Sequence, residues 1–160
     1  MGEAPLYCLT GVTLDERTSV RRTHEIEHER DIALVDLLES NNFHPVGSHG
    51  GPYHLVLGVD DKHLTLDIRL ASGEAHGKLM LSLTPFRRII KDYFRLCESY
   101  FKAVGGAHSA GQIESLDMAR RGLHDEGSEL LRERLKGKVD IDMDTARRLF
   151  TLICVLHLKG

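Results

Sequence analysis

Tyr53-His54-Leu55-Val56-Leu57-Gly58-Val59-Asp60-Asp61-Lys62-His63-Leu64-Thr65-Leu66-Asp67-Ile68-Arg69-Leu70 is the stretch that decides the fold class. Side chains alternate between the two faces of a strand, so Tyr53, Leu55, Leu57 and Val59 share one face, as do Leu64, Leu66, Ile68 and Leu70. Asp60-Asp61-Lys62 between the runs is the size of a hairpin turn. A third run, Leu79, Leu81 and Leu83, follows the turn signal Ser72-Gly73-Glu74. These runs predict an antiparallel three-stranded meander. Residues 6 to 14 alternate loosely through Leu6, Cys8, Val12 and Leu14, and supply a possible fourth strand. One face of this antiparallel three- to four-stranded sheet is continuously apolar and needs helices to cover it. The other carries His54, His63, Thr65, Asp67, Arg69, Lys78 and Ser82 and is wetter.

Helical periodicity fills the flanks. Thr23, followed by Glu25 and Glu27, predicts a helix start, with Ile26, Ala33, Leu34, Leu37 and Leu38 inward and Asn41-Asn42 as the stop. Thr84-Pro85 reads as an N-cap and first helical residue, before Phe86, Ile89, Ile90, Tyr93, Phe94, Cys97, Tyr100, Phe101 and Val104. Gly105-Gly106 ends that helix. Ser109 and Gln112 form a capping box for a third helix through Leu135. Gly122 and Gly127 inside it each cost about 1 kcal/mol relative to Ala, which implies a kink or close packing near His124. A last helix begins near Asp144 and is apolar nearly all round from Leu149 to Leu158. The expected architecture is α+β, a single layer pair of one sheet and about four helices, with residues 1–160 as one domain.

Composition narrows the functional classes. Of 160 residues, 41% are hydrophobic and 28% charged, which excludes a disordered chain. The net charge of −3 excludes a generally basic nucleic-acid binder. No stretch reaches the roughly 18 apolar residues of a membrane span, and the N-terminus shows neither a secretory signal nor a myristoylation motif. Cys8, Cys97 and Cys154 are odd in number, dispersed and set among apolar residues, as buried thiols in a reducing compartment are. The expectation is a soluble cytoplasmic protein without a cofactor.

Several patterns invite chemistry. His24-Glu25-Ile26-Glu27-His28 matches H-E-x-x-H, in which two His hold zinc and the Glu activates a bound water. With ten His and twelve Glu in the chain a chance match is unsurprising, Glu suits a first helical turn anyway, and no third ligand stands at a diagnostic spacing. Asp140-Ile141-Asp142-Met143-Asp144 opens like a calcium loop, yet Thr145 and Thr151 stand where that loop needs Gly and Glu. It reads instead as an extended segment with Val139, Ile141 and Met143 inward, ending in Asp144 as an N-cap. The Gly47–Gly51 stretch matches no phosphate-binding motif and leads into a strand.

Arginine pairs are less ordinary. Arg21-Arg22, Arg87-Arg88, Arg120-Arg121 and Arg147-Arg148 are four adjacent pairs, where fourteen Arg give roughly one by chance. Helical neighbours diverge by about 100°, so one member of a pair can face inward to an acid such as Asp67, Asp92, Asp117 or Asp144. The functional counterpart is convergence of several Arg on one anion. Arg87, Lys91, Arg95 and Lys102 also form an outer stripe on the aromatic-rich helix, diluted by Asp92 and Glu98. That stripe is a solvated face or, as a weaker alternative, a nucleic-acid contact.

Together, Glu27-His28-Glu29-Arg30, Gly51-Pro52-Tyr53, Ser82–Ile89, Cys97-Glu98-Ser99-Tyr100, Arg120-Arg121-Gly122-Leu123-His124 and Asp144–Phe150 resemble an uncharacterised protein family, number 0262 of the UPF series. The resemblance spans nearly the whole chain. It implies a small cytoplasmic alphaproteobacterial protein and brings no activity with it. The family's pattern includes His28-Glu29-Arg30 but no His at the position of His24, which weakens the zinc reading further. The expectation is therefore a non-enzymatic interaction or regulatory module, binding a protein or small anion. Its candidate site residues are Arg87, Arg88, Arg120, Arg121, His124, Arg147 and Arg148. A metal-dependent hydrolase using His24, Glu25 and His28 is the alternative.

Overall fold

Hydrophobic alternation and helical periodicity produce ten elements in a computed structural model that describes residues 6–15 and 24–157. In chain order they are β1 (Leu9–Asp15), α1 (His24–Glu39), β2 (Phe43–Pro45), β3 (Tyr53–Val59), β4 (His63–Leu70), β5 (Ala75–Ser82), α2 (Thr84–Val104), α3 (Ala110–Leu135), β6 (Val139–Ile141) and α4 (Met143–His157). The fold is α+β. The β3–β4–β5 meander is antiparallel as its alternation implies, with Leu55 opposite Ile68 and Leu66 opposite Leu79. Leu55, Leu57, Leu64, Leu66, Ile68 and Leu81 are buried on its covered face. In the first turn the Asp60 carboxylate accepts the backbone N–H groups of Lys62 and His63, both at 2.7 Å. Gly73 supplies the positive φ of the second, at 98°.

The fourth strand corrects the all-antiparallel expectation. β1 pairs with β3 in parallel, which makes the sheet mixed in the order β1-β3-β4-β5. Alternation identifies a strand's buried face and says nothing of its direction. Parallel pairing needs a connection of about a dozen residues or more, and α1 lies in this one. Asn41 ties the crossover together. Its Nδ2 donates to the Leu37 carbonyl at the end of α1 (2.7 Å) and to the Leu9 carbonyl (2.9 Å), and its Oδ1 accepts the Leu9 N–H (2.7 Å).

A second, two-stranded sheet pairs β2 with β6, Phe43 opposite Ile141 and Pro45 opposite Val139. Three-residue strands so distant in sequence leave no alternation long enough to recognise. Val139 and Ile141 are buried as expected, but Met143 is already helical, and Asp142 rather than Asp144 caps α4 by accepting the Thr145 N–H at 2.9 Å. Leu83 likewise stands at the N-cap of α2 in place of Thr84, while the Ser109–Gln112 capping box of α3 is complete. Thr23 and the Arg21-Arg22 pair lie outside the described residues.

α4 is the central helix, buried from Leu152 to Val155 as well as at Leu149 and Phe150, and packed against β3, α1 and α3. α1 also meets β1, and α2 packs along α3. α1 buries Ala33 and Leu37, whereas Leu38, read as inward, is exposed together with Ile32 and Val35.

The two glycines of α3 differ in what surrounds them. A Cβ on Gly127 would overlap the ring of Phe150 from α4, whereas at Gly122 it would meet open space. Gly127→Ala therefore loses more to steric overlap than it gains in helix propensity, and is expected to destabilise by about 1–3 kcal/mol. Gly122→Ala is expected to stabilise by up to about 1 kcal/mol. Urea midpoints of the two variants measure both, and equal effects would refute the close approach.

Candidate functional site

Helical spacing gathers polar side chains of α3 along one side. Asp117, Arg120, Arg121, His124 and Ser128 recur three or four residues apart, and neighbours at that spacing meet on a helix surface. Asp144, Arg147 and Thr151 repeat the spacing on α4. Where α2, α3 and α4 adjoin there is a cavity of about 380 Å³, lined by Tyr93, Arg120, Arg121, His124, Asp125 and Arg147. Four of the seven candidate residues thus come together.

Each guanidinium is held by carboxylates. Arg120 Nε donates to Asp117 Oδ1 at 2.8 Å, and Arg121 Nε lies 3.1 Å from Asp117 Oδ2. One acid, three residues before the first Arg and four before the second, bridges the pair. The expected divergence still shows in exposure, with the side chain of Arg120 at 20% and that of Arg121 at 75%. Arg120 also packs its Cζ over the Tyr100 ring at 4.2 Å and reaches Glu29 of α1 at 3.6 Å. Arg147 donates from Nε to Asp125 Oδ1 at 2.9 Å and from Nη1 to Asp144 Oδ1 at 3.0 Å. Asp117 and Asp144 are therefore among the acids these arginines meet, although only Arg120 does so half-buried.

His124 sits behind the arginines. Its Nε2 is 2.7 Å from Thr151 Oγ1, and its ring lies 5.3 Å from that of Tyr93 and edge-on to that of Phe150 at 5.2 Å. Burial lowers its pKa to about 4; Asp125 acts in the opposite direction, and Arg147 and Arg120 add to the lowering. The imidazole is neutral at pH 7. Burial, and then Glu29, push the Tyr93 hydroxyl well above its ordinary range. Glu29 itself is raised by burial, against the attraction of Arg120 and His28. Burial also raises the Cys97 and Cys154 thiols, and both cysteines are free.

The other candidates lie elsewhere. Arg87 donates to the Asp61 carbonyl at the β3–β4 turn, Arg88 pairs with Asp92 at 3.8 Å, and Arg148 is half-buried outside the cavity lining. Arg87, Lys91, Arg95 and Lys102 are all exposed on α2, and Lys102 pairs with Glu98 at 2.9 Å. His24 and His28 are exposed, and among the described residues no three His, Cys, Asp or Glu side chains are arranged to hold a metal ion. No described helix is long and apolar enough to cross a membrane.

Sequence reasoning did not single out Tyr93, Asp125 or Thr151. The i+4 step from Arg121 to Asp125 was available as a signal; the approach of Thr151 and Tyr93 to His124 is tertiary.

Fold and cavity together define an α+β protein with an arginine-walled pocket among its helices. The chain belongs to the uncharacterised protein family UPF0262, whose profile matches residues 7–159. It is 57% identical over 154 residues to a UPF0262 protein of Azorhizobium caulinodans (95% of this chain, 94% of that one) and 55% identical over 157 residues to one of Xanthobacter autotrophicus (98% and 95%). A UPF0262 protein of Brucella canis is 51% identical over 159 residues, covering 99% of this chain and 98% of its own. No solved structure matches the chain.

The position of His124 has a consequence for stability. The unfolded chain takes up the proton near the ordinary pKa of 6.5, the folded chain only near 4, so stability falls as pH drops through that window. The loss is on the order of 3 kcal/mol. Glu29, raised in the folded state, acts in the opposite sense, so the effect of His124 is read as a difference between proteins. Urea unfolding between pH 7 and 4 should show a steeper acid loss for the native chain than for His124→Gln. Parallel curves would mean that the imidazole is not held neutral by the fold.

Proposed function

We propose that the protein is a binding module whose cavity takes a small anion, and that it acts as an interaction or regulatory element through that ligand. One observation carries the reading: the six lining residues include three guanidiniums and a single carboxylate. Tyr93 and His124 are neutral, and because Asp117, Asp125 and Asp144 balance the three arginines, what the wall offers a ligand is a set of guanidinium N–H donors in a concave, partly apolar setting. A guanidinium has five N–H donors in a fixed fork. Asp117 and Asp125 engage the Nε of all three arginines, which restrains their planes and leaves terminal donors for a ligand. A volume of about 380 Å³ is at the small end of ligand sites. A carboxylate or phosphate group matches this fork bidentately.

The test uses inorganic phosphate as probe and backbone amide NMR shifts as readout. Saturable shifts centred on Arg120–Asp125 and Arg147–Thr151 are expected. Arg120→Gln with Arg147→Gln should weaken binding roughly tenfold or more, since a hydrogen bond to a charged group is worth about 1.5–3 kcal/mol. A melting temperature within a few degrees of the native one would accompany that loss. Absent or scattered shifts would refute the reading, and a doubly substituted chain that merely unfolds would assign these arginines to the fold alone.

A further inference from the structure

The hydrogen bonds behind the arginine wall bear on what else the ligand must carry. Thr151 has one hydroxyl proton and two neighbours: the Arg147 carbonyl at 3.2 Å and His124 Nε2 at 2.7 Å. A carbonyl only accepts, so the hydroxyl proton lies toward Arg147, as is common for Thr within a helix. Nε2 must then be the donor to Thr151 Oγ1. No other assignment satisfies both contacts. The neutral ring carries one proton, which leaves Nδ1 as a bare acceptor. His124 lines the cavity and its Nε2 is engaged by Thr151, so Nδ1 is the ring nitrogen left to meet a ligand.

We propose that the anion bound beside Arg120 and Arg147 is a hydroxylated one, a small carboxylate or phosphate ester with a hydroxyl close to its charged group, and that His124 Nδ1 accepts the proton of that hydroxyl. The inference rests on the anion-binding reading above and goes one step beyond it. A plain anion would fill the guanidinium forks and leave Nδ1 without a donor. An anion with a neighbouring hydroxyl satisfies both sets of groups at once, and a site with a fixed acceptor discriminates against a ligand lacking the donor. The groups around the imidazole are consistent with an acceptor role. Arg120 and Arg147 disfavour a second ring proton, and so do the apolar rings of Tyr93 and Phe150; Asp125 alone favours it.

Matched pairs of probes test this: glycolate against acetate, and glycerol 3-phosphate against propyl phosphate, titrated calorimetrically at pH 7. The hydroxylated member should bind roughly threefold to tenfold more tightly in whichever pair binds, the range of one added neutral hydrogen bond. The pair that binds identifies the charged group as carboxylate or phosphate. His124→Phe should bring the two members of a pair to equal affinity. Nitrogen-15 NMR of the native chain gives an independent measure, with the proton expected on Nε2. Equal affinities within both pairs, or a proton found on Nδ1, would overturn the hydroxyl requirement and leave anion binding standing. No binding of any of the four would overturn both.

Discussion

The approach of α3 to α4 at Gly127 and Phe150 sets the geometry on which the cavity depends. Helix spacing follows from the side chains at the crossing, and a residue without Cβ lets the two axes come close. The fully buried Phe150 ring occupies the space that a Cβ on Gly127 would claim. The same ring meets His124 of α3 edge-on and Tyr93 of α2 at 6.5 Å, so one side chain locates three helices relative to one another. The neighbours of Phe150 on α4 then fall into place. Thr151 reaches the imidazole, and Arg147, almost a turn earlier, reaches Asp125 across the helix boundary. A rotation of α4 that relieved the contact at Gly127 would carry Thr151 and Arg147 away from both partners.

Much of this is legible in the sequence, and the reasons differ from element to element. The meander was plain because alternation over seven or eight residues has a single reading on a half-buried sheet. The capping box at Ser109 and the arrest at Gly105 are local chemistry. The parallel pairing of β1 was hidden because periodicity carries no direction, and the β2–β6 ribbon because three residues carry almost no period. Within the site, the pairs Arg120-Arg121 and Arg147-Arg148 stood out by composition, but nothing local separates them from Arg87-Arg88. The difference is positional. Arg87 and Arg88 lie in the first turn of α2, near the β3–β4 turn and away from the junction of three helices. Of the glycines that hinted at close packing near His124, only Gly127 has a neighbour to explain it.

The remaining question is why a neutral histidine belongs among arginines. A charged imidazole there would add to repulsion already present between Arg120, Arg121 and Arg147, and burial among aromatic rings makes that charge costlier still. The acids are placed to hold the guanidiniums instead. Asp117 spans two of them, and Asp125 and Asp144 share the third. Each guanidinium thereby has a carboxylate partner, while Tyr93 and His124 beside them both remain neutral. An anion of the proposed kind would meet guanidinium donors at Arg120 and Arg147 and a proton acceptor at His124. On the proposed reading those two requirements fall on one ligand, which would then be selected by the pattern of its groups as well as by its charge.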